Sequence, residues 1–166
     1  GIVGLGNIGR KVAEIAKVFG CHVIYYSASG NNNTIDYERV SFDELLEQSD
    51  ILSLHCPLTD RTQKLMNAQA FDKMKETAIL INVARGPVVD EQDLYDALTQ
   101  GKIAAAGLDA VRVEPILMDN PLLSAKNCFI TPHISWAALE CRQRLIAYSL
   151  DNLKNYLAGT PTNIVN

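Results

Sequence analysis

The chain opens on an uncharged apolar run, Ile2, Val3 and Leu5, interrupted by Gly4 and Gly6 and followed at once by a helical pattern. From Ile8 to Phe19 the apolar residues Ile8, Val12, Ile15, Ala16 and Phe19 recur at helical spacing, with Arg10, Lys11, Glu14 and Lys17 opposite them, and Gly20 stops the helix. His22 to Tyr26 reads as a buried strand and Ser29 to Asn33 as a polar loop. Ser41 and Glu44 have the spacing of a capping box, which predicts a short helix to about Gln48. Further strands are predicted over Ile51 to Leu54, Ala78 to Val83, Ile103 to Leu108 and Cys128 to Ile130. Helices are predicted over Asn67 to Met74, from an Asp90 cap to near Gly101, and over roughly Trp136 to Leu157. The last carries Leu139, Ile146, Leu150, Leu153 and Leu157 on one stripe. Six strands that alternate with helices and are apolar throughout predict a doubly wound α/β fold, a parallel sheet covered on both faces.

Composition narrows the class without changing the fold. At 166 residues, 48% hydrophobic and 20% charged, the chain suits one globular domain with a real core. A net charge of −4 leaves no basic footprint for nucleic acid. No apolar run reaches the roughly 20 residues that span a bilayer, and no signal-peptide pattern is visible. Cys21, Cys56, Cys128 and Cys141 are isolated thiols, read as small hydrophobes rather than metal ligands, and they fit a reducing, cytoplasmic setting. The chain begins without Met and inside its first strand, so the expectation is a piece of a longer protein.

The candidate chemistry lies at the strand ends, because open parallel sheets bind ligands beyond the carboxyl ends of their strands. Gly4, Gly6 and Gly9 form G-x-G-x-x-G between a strand and a helix: one glycine for the turn, one for close approach of a pyrophosphate, one for packing. The helix N-terminus then offers amides and a partial positive charge to an anion. About 20 residues on, where a dinucleotide site carries an acid for the ribose, this chain has Ser27. Ser27 either faces that ribose or simply ends a strand. Its hydroxyl would not repel a 2′-phosphate, and Ala28 to Asn33 offers no Lys or Arg to attract one, so NADH use with mild discrimination against NADPH is expected. His55-Cys-Pro57 follows the third strand, with Pro57 a rigid turn and His55 read as structural. Arg85, before Gly86-Pro87, is either a solvated arginine or a two-pronged grip on a carboxylate. Asp109 and Glu114 follow the fifth strand and His133 the sixth; a carboxylate and an imidazole so placed can form an acid/base pair, although each taken singly is more often a turn or capping residue.

Together G-L-G-N-I-G, H-C-P-L-T, N-V-A-R-G-P-V-V-D, A-G-L-D with V-E-P, and N-P-L-L with T-P-H-I-S-W resemble the nucleotide-binding domain of the D-isomer-specific 2-hydroxyacid dehydrogenases, over essentially the whole chain. Within that family the Trp136 context resembles the glycerate dehydrogenases, or hydroxypyruvate reductases. The resemblance implies an oxidoreductase that moves a hydride between NAD, or NADP, and a small 2-keto acid such as hydroxypyruvate or glyoxylate. It makes Arg85 the carboxylate-binding arginine, His133 the proton donor and Glu114 its partner. Asn7 and Ile8 would contact the pyrophosphate, Pro57 and Val83 the nicotinamide side and Asp109 the carboxamide, with Ala84 and Ser135 completing the cofactor set. It further implies a dinucleotide domain over residues 1–158, a tail over 159–166 returning to a substrate domain absent from this chain, and a homodimer. Two departures stand out: Ser27 replaces the acid, and Ala110-Val111-Arg112-Val113 replaces the usual hydrophobic-acidic pair. The same family contains corepressors that sense NAD and bind partners, the rival reading.

Overall fold

A computed structural model describes residues 1–30 and 36–164. Of the loop expected over Ser29 to Asn33, residues 31–33 lie outside the described residues, as do the last two of the tail. The chain forms two compact units, Gly1–Pro132 and His133–Asn166.

The first unit is built on a parallel sheet. Its strands are β1 (Ile2–Val3), β2 (Ile24–Tyr26), β3 (Glu38–Arg39), β4 (Ile51–Leu54), β5 (Ile79–Asn82), β6 (Ala105–Leu108) and β7 (Cys128–Ile130). They pair in the order β3-β2-β1-β4-β5-β6-β7, every pairing parallel. Six of these are the strands expected from the apolar runs, β4 and β7 with the expected bounds and the others shorter by up to two residues at an end. The seventh, β3, was not expected: both of its residues are exposed and polar, as suits an edge strand, so no apolar run marks it.

Four helices belong to this unit: α1 (Asn7–Val18), α2 (Phe42–Gln48), α3 (Ala68–Lys73) and α4 (Glu91–Thr99). Local chemistry starts three of them. Ser41 and Glu44 form the expected capping box. The Asn67 side chain accepts from the Ala70 amide, and Asp90 accepts from those of Gln92 and Asp93. Leu45 and Leu46 of α2, Phe71 of α3 and Leu94 and Leu98 of α4 join Val3, Leu52, Leu54, Leu80 and Leu108 of the sheet in the main core. On the other face Ala13 of α1 meets Ile2, Leu5 and Tyr25.

Only part of the expected apolar stripe of α1 is covered. Ile8, Ile15 and Phe19 are 68%, 57% and 83% exposed, whereas Gly9 and Ala13 are buried and Val12 and Ala16 half-buried. The reason is distance: a Cβ on Gly9 would stand 2.2 Å from the Gly4 carbonyl oxygen, so only small residues fit between helix and sheet. Side-chain size, more than hydrophobicity, decided which part of the helix lies closest to the sheet. Ile51, Ile79 and Phe129 on the sheet also stay exposed, so coverage of both faces is incomplete along β4–β7.

In the second unit α5 (Leu139–Leu157) begins three residues later than expected, because residues 134–137 close a turn through an Ala137 amide bond to the Ile134 carbonyl. None of its residues is buried, its leucine stripe included.

Candidate active site

All seven strands run one way, so their carboxyl ends share one edge of the first unit. Gly4 has φ +91°, open to glycine without strain, and a Cβ there would lie 2.9 Å from the Cys56 amide nitrogen. Gly6, the residue before α1, has nothing within 4 Å of where its Cβ would be. The three glycines thus divide the work as the motif requires: Gly4 turns, Gly6 leaves room, Gly9 packs. The first turn of α1 has neither a side-chain cap nor an acidic residue. Its leading amides, beginning at Asn7 and Ile8, have no partner within the helix and carry the positive end of its dipole. That end fits a pyrophosphate.

Beyond β2, Ser27 is buried and its hydroxyl lies 3.4 Å from that of Ser29. Beyond β4, the His55 ring shares a 2.8 Å Nε2 hydrogen bond with Ser53 Oγ, while buried Nδ1 has no hydrogen-bond partner among the described residues. Burial lowers the His55 pKa, so the neutral ring is favoured, as the structural reading of this residue expects. Pro57 begins a loop fixed by the buried Thr62, whose hydroxyl donates to the Pro57 carbonyl at 2.6 Å and accepts from the Thr59 amide at 2.8 Å.

The ends of β5 and β6 are built against each other. Asn82 is fully buried; its side chain accepts from the Ala84 amide at 3.0 Å and donates to the Arg85 carbonyl at 3.0 Å. That clasp shapes the turn carrying Val83, Ala84 and Arg85. The exposed Arg85 side chain is steadied by one Nη1 bond to the Ala84 carbonyl at 2.7 Å. A Cβ on Gly86 would stand 2.0 Å from the Val111 carbonyl carbon, so the arginine turn presses directly on the loop that leads to Glu114. Asp109 is buried, and Thr131 Oγ1 donates to its carboxylate at 2.5 Å. Glu114 is exposed and accepts from the Val111 amide at 3.2 Å. Glu91, the first residue of α4, holds the same loop from below: its carboxylate accepts from the Arg112 amide at 2.6 Å and from the Asn120 side chain at 2.9 Å.

In the second unit His133 is a non-glycine residue with φ 55°, in the left-handed region. Trp136 donates from its indole nitrogen to the His133 carbonyl at 2.8 Å and so holds that conformation. Such outliers persist only where the surroundings fix them, and they gather at functional sites. Ser135 is exposed between the two.

The first unit therefore brings together Gly4, Gly6, Asn7, Ile8, Gly9, Ser27, Pro57, Val83, Ala84, Arg85, Asp109 and Glu114 along one sheet edge, while His133 and Ser135 belong to the second. The reading of sequence missed Asn82, Glu91 and Thr131, which act on backbone and on other side chains rather than on a ligand. It also missed Arg39, whose Nη1 donates to the Gly30 carbonyl at 3.2 Å. Among the described residues no His, Cys, Asp or Glu cluster could hold a metal, and no helix is long and apolar enough to cross a membrane. All four cysteines are free thiols.

Residues 1–135 match the family model described as D-isomer specific 2-hydroxyacid dehydrogenase, NAD binding domain. A hydroxypyruvate reductase of Blautia hydrogenotrophica is 51% identical over 170 residues, covering 100% of this chain and 52% of that protein. A glyoxylate reductase of Korarchaeum cryptofilum is 43% identical over 170 residues, covering 100% and 51%. Among solved structures, an acyclic imino acid reductase in complex with NADPH and D-Arg superposes with a TM-score of 0.91 at 36% identity, covering 99% of this chain and 52% of that one. The chain spans about half the length of the curated relatives it matches.

Proposed function

Since the chain belongs to the D-isomer-specific 2-hydroxyacid dehydrogenases, as their NAD-binding domain, we propose that the protein carrying it reduces a small 2-keto acid, hydroxypyruvate or glyoxylate, to the D-2-hydroxy acid with NADH or NADPH. The observation that carries this reading is the edge where the arginine turn and the Glu114 loop abut through Gly86, beside a glycine turn left open for a pyrophosphate. A purely NAD-sensing binding protein would need only the second of these.

When bound, the dinucleotide supplies the hydride. The chain supplies the rest. Arg85 grips the keto acid's carboxylate through its planar fork and draws electron density from the carbonyl, fixing the carbon that is reduced. As the carbonyl oxygen gains negative charge, His133 delivers a proton to it. Glu114 is assigned as the carboxylate partner of that proton donor. In this reading Gly4, Gly6, Asn7, Ile8 and Gly9 hold the pyrophosphate, Ser27 the adenosine ribose, Pro57, Val83 and Ala84 the nicotinamide side, Asp109 the carboxamide, and Ser135 completes the cofactor set.

Residues 1–158 form the dinucleotide domain, and residues 159–166 return toward a substrate domain that supplies the far wall of the cleft. The relatives' doubled length supports that division. The working form is a cytoplasmic homodimer; four unpaired thiols agree with a reducing compartment. The test is a panel of 2-keto acids reduced with NADH and with NADPH by the full-length protein, with its mass measured in solution. Turnover of hydroxypyruvate or glyoxylate above the other acids is expected. Dinucleotide binding without turnover of any acid would favour the binding-protein reading.

A further inference from the structure

We propose that Arg39 is the cofactor-selecting residue of this domain, the one that admits a dinucleotide carrying a 2′-phosphate. The inference rests on the dinucleotide reading above and extends it to a strand that no part of that reading uses.

Parallel pairing sets Arg39 beside Tyr25, so β3 and β2 end together at the ligand edge of the sheet. There the segment Ser27–Gly30 folds into a tight turn, closed by the Gly30 amide donating to the Ser27 carbonyl at 3.2 Å. Arg39 closes over this turn from the neighbouring strand. Its Nη1 donates to the Gly30 carbonyl at 3.2 Å, and its Nη2 stands 3.9 Å from where a Gly30 Cβ would be. The turn thus carries two hydroxyls in contact, buried Ser27 and exposed Ser29, and the guanidinium is bonded to its last carbonyl.

That set of groups has a definite preference. A carboxylate at the end of β2 holds a ribose 2′-hydroxyl and repels a 2′-phosphate, whereas a nearby arginine accommodates the phosphate. Ser27 removes the repulsion. Arg39 supplies the attraction, through a rigid fork of donors matched to phosphate oxygens. Asp36 and Glu38 lie on the same segment, but Glu38 alternates with Arg39 and projects to the opposite face of the strand. The expectation of mild discrimination against NADPH counted only the residues that follow Ser27 directly. The cation comes instead from the next strand, brought back by the fold.

Two nicotinamide-free probes isolate the effect: ADP-ribose and 2′-phospho-ADP-ribose, titrated calorimetrically against the chain. The unaltered chain is expected to bind the phosphorylated probe at least as tightly as the other. Arg39→Gln should weaken the phosphorylated probe by about 10- to 100-fold, the loss for hydrogen bonds to a charged group, and change ADP-ribose by less than twofold. Arg39→Lys should recover part of that loss, since charge survives without the fork. Independently, Ser27→Asp should weaken only the phosphorylated probe. Equal effects of Arg39→Gln on both probes, or none on the phosphorylated one, overturn the assignment while the dinucleotide reading stands. Failure of the unaltered chain to bind either probe removes the dinucleotide reading and this inference with it.

Discussion

His133 has its backbone in the left-handed region, with φ 55°, held there by the Trp136 indole. In the full-length protein His133→Asn is expected to lower turnover by about 10²–10⁴, the usual loss of a general acid, and to leave cofactor affinity intact; steady-state kinetics beside a cofactor titration checks both. Glu114→Gln should lower turnover with little change in cofactor affinity, and unaltered turnover would release Glu114 from its role beside the proton donor. Arg85→Lys should raise KM for the keto acid and lower kcat, since a lysine keeps the charge and loses the two-pronged grip. The places of these three residues beyond β5, β6 and β7 were legible because each follows an apolar run, whereas their proposed roles come from the family resemblance. Asn82 lay in the same stretch and was passed over. An amide that clasps the backbone two and three residues on leaves no pattern to distinguish it from any polar residue at a strand end.

Between elements, the Arg85 turn approaches the Val111–Arg112 backbone closely at Gly86. Gly86→Ala would put a methyl group 2.0 Å from a carbonyl carbon, with backbone rather than a flexible side chain in the way. The loops must then separate, and a stability loss of about 1–3 kcal/mol is expected, measurable by urea denaturation. Gly101→Ala should also destabilise, but through its backbone angle of φ +73° alone, since its Cβ would meet nothing within 4 Å. Only the Gly86 change should also move KM for the keto acid. At this scale the order of helices and strands was readable from periodicity, and the capping box at Ser41 and the Asp90 cap fell where the sequence put them. What periodicity misjudged was contact. The stripe on α1 was counted by hydrophobicity, whereas a helix laid against glycine-turn backbone must bury its smallest side chains. The edge strand β3 escaped because two polar residues carry no alternation to detect.

For the whole molecule, the half-buried ring of His55 couples protonation to folding. Its pKa is lowered from 6.5 in the folded chain by burial. The unfolded chain therefore takes up a proton near pH 6.5 that the folded chain resists. The stability this confers is present above the unfolded value and is lost as pH falls from there toward the folded value. Melting temperatures recorded from pH 8 to pH 5 should decline less steeply for His55→Gln than for the unaltered chain. The strand order has a kinetic consequence of its own. Every strand lies beside its neighbour in sequence except where β1 meets β4, Ile2 opposite Ser53. This one pairing closes the longest loop in the sheet, and by loop length alone it is the slowest to form and among the first to open. The glycine turn stands on one side of that seam and the His55–Pro57 loop on the other. On the proposed reading a dinucleotide spans both and clamps the seam, so saturating NADH should slow unfolding in denaturant jumps more than it speeds refolding. The ligand, by this account, is also the last stitch of the sheet.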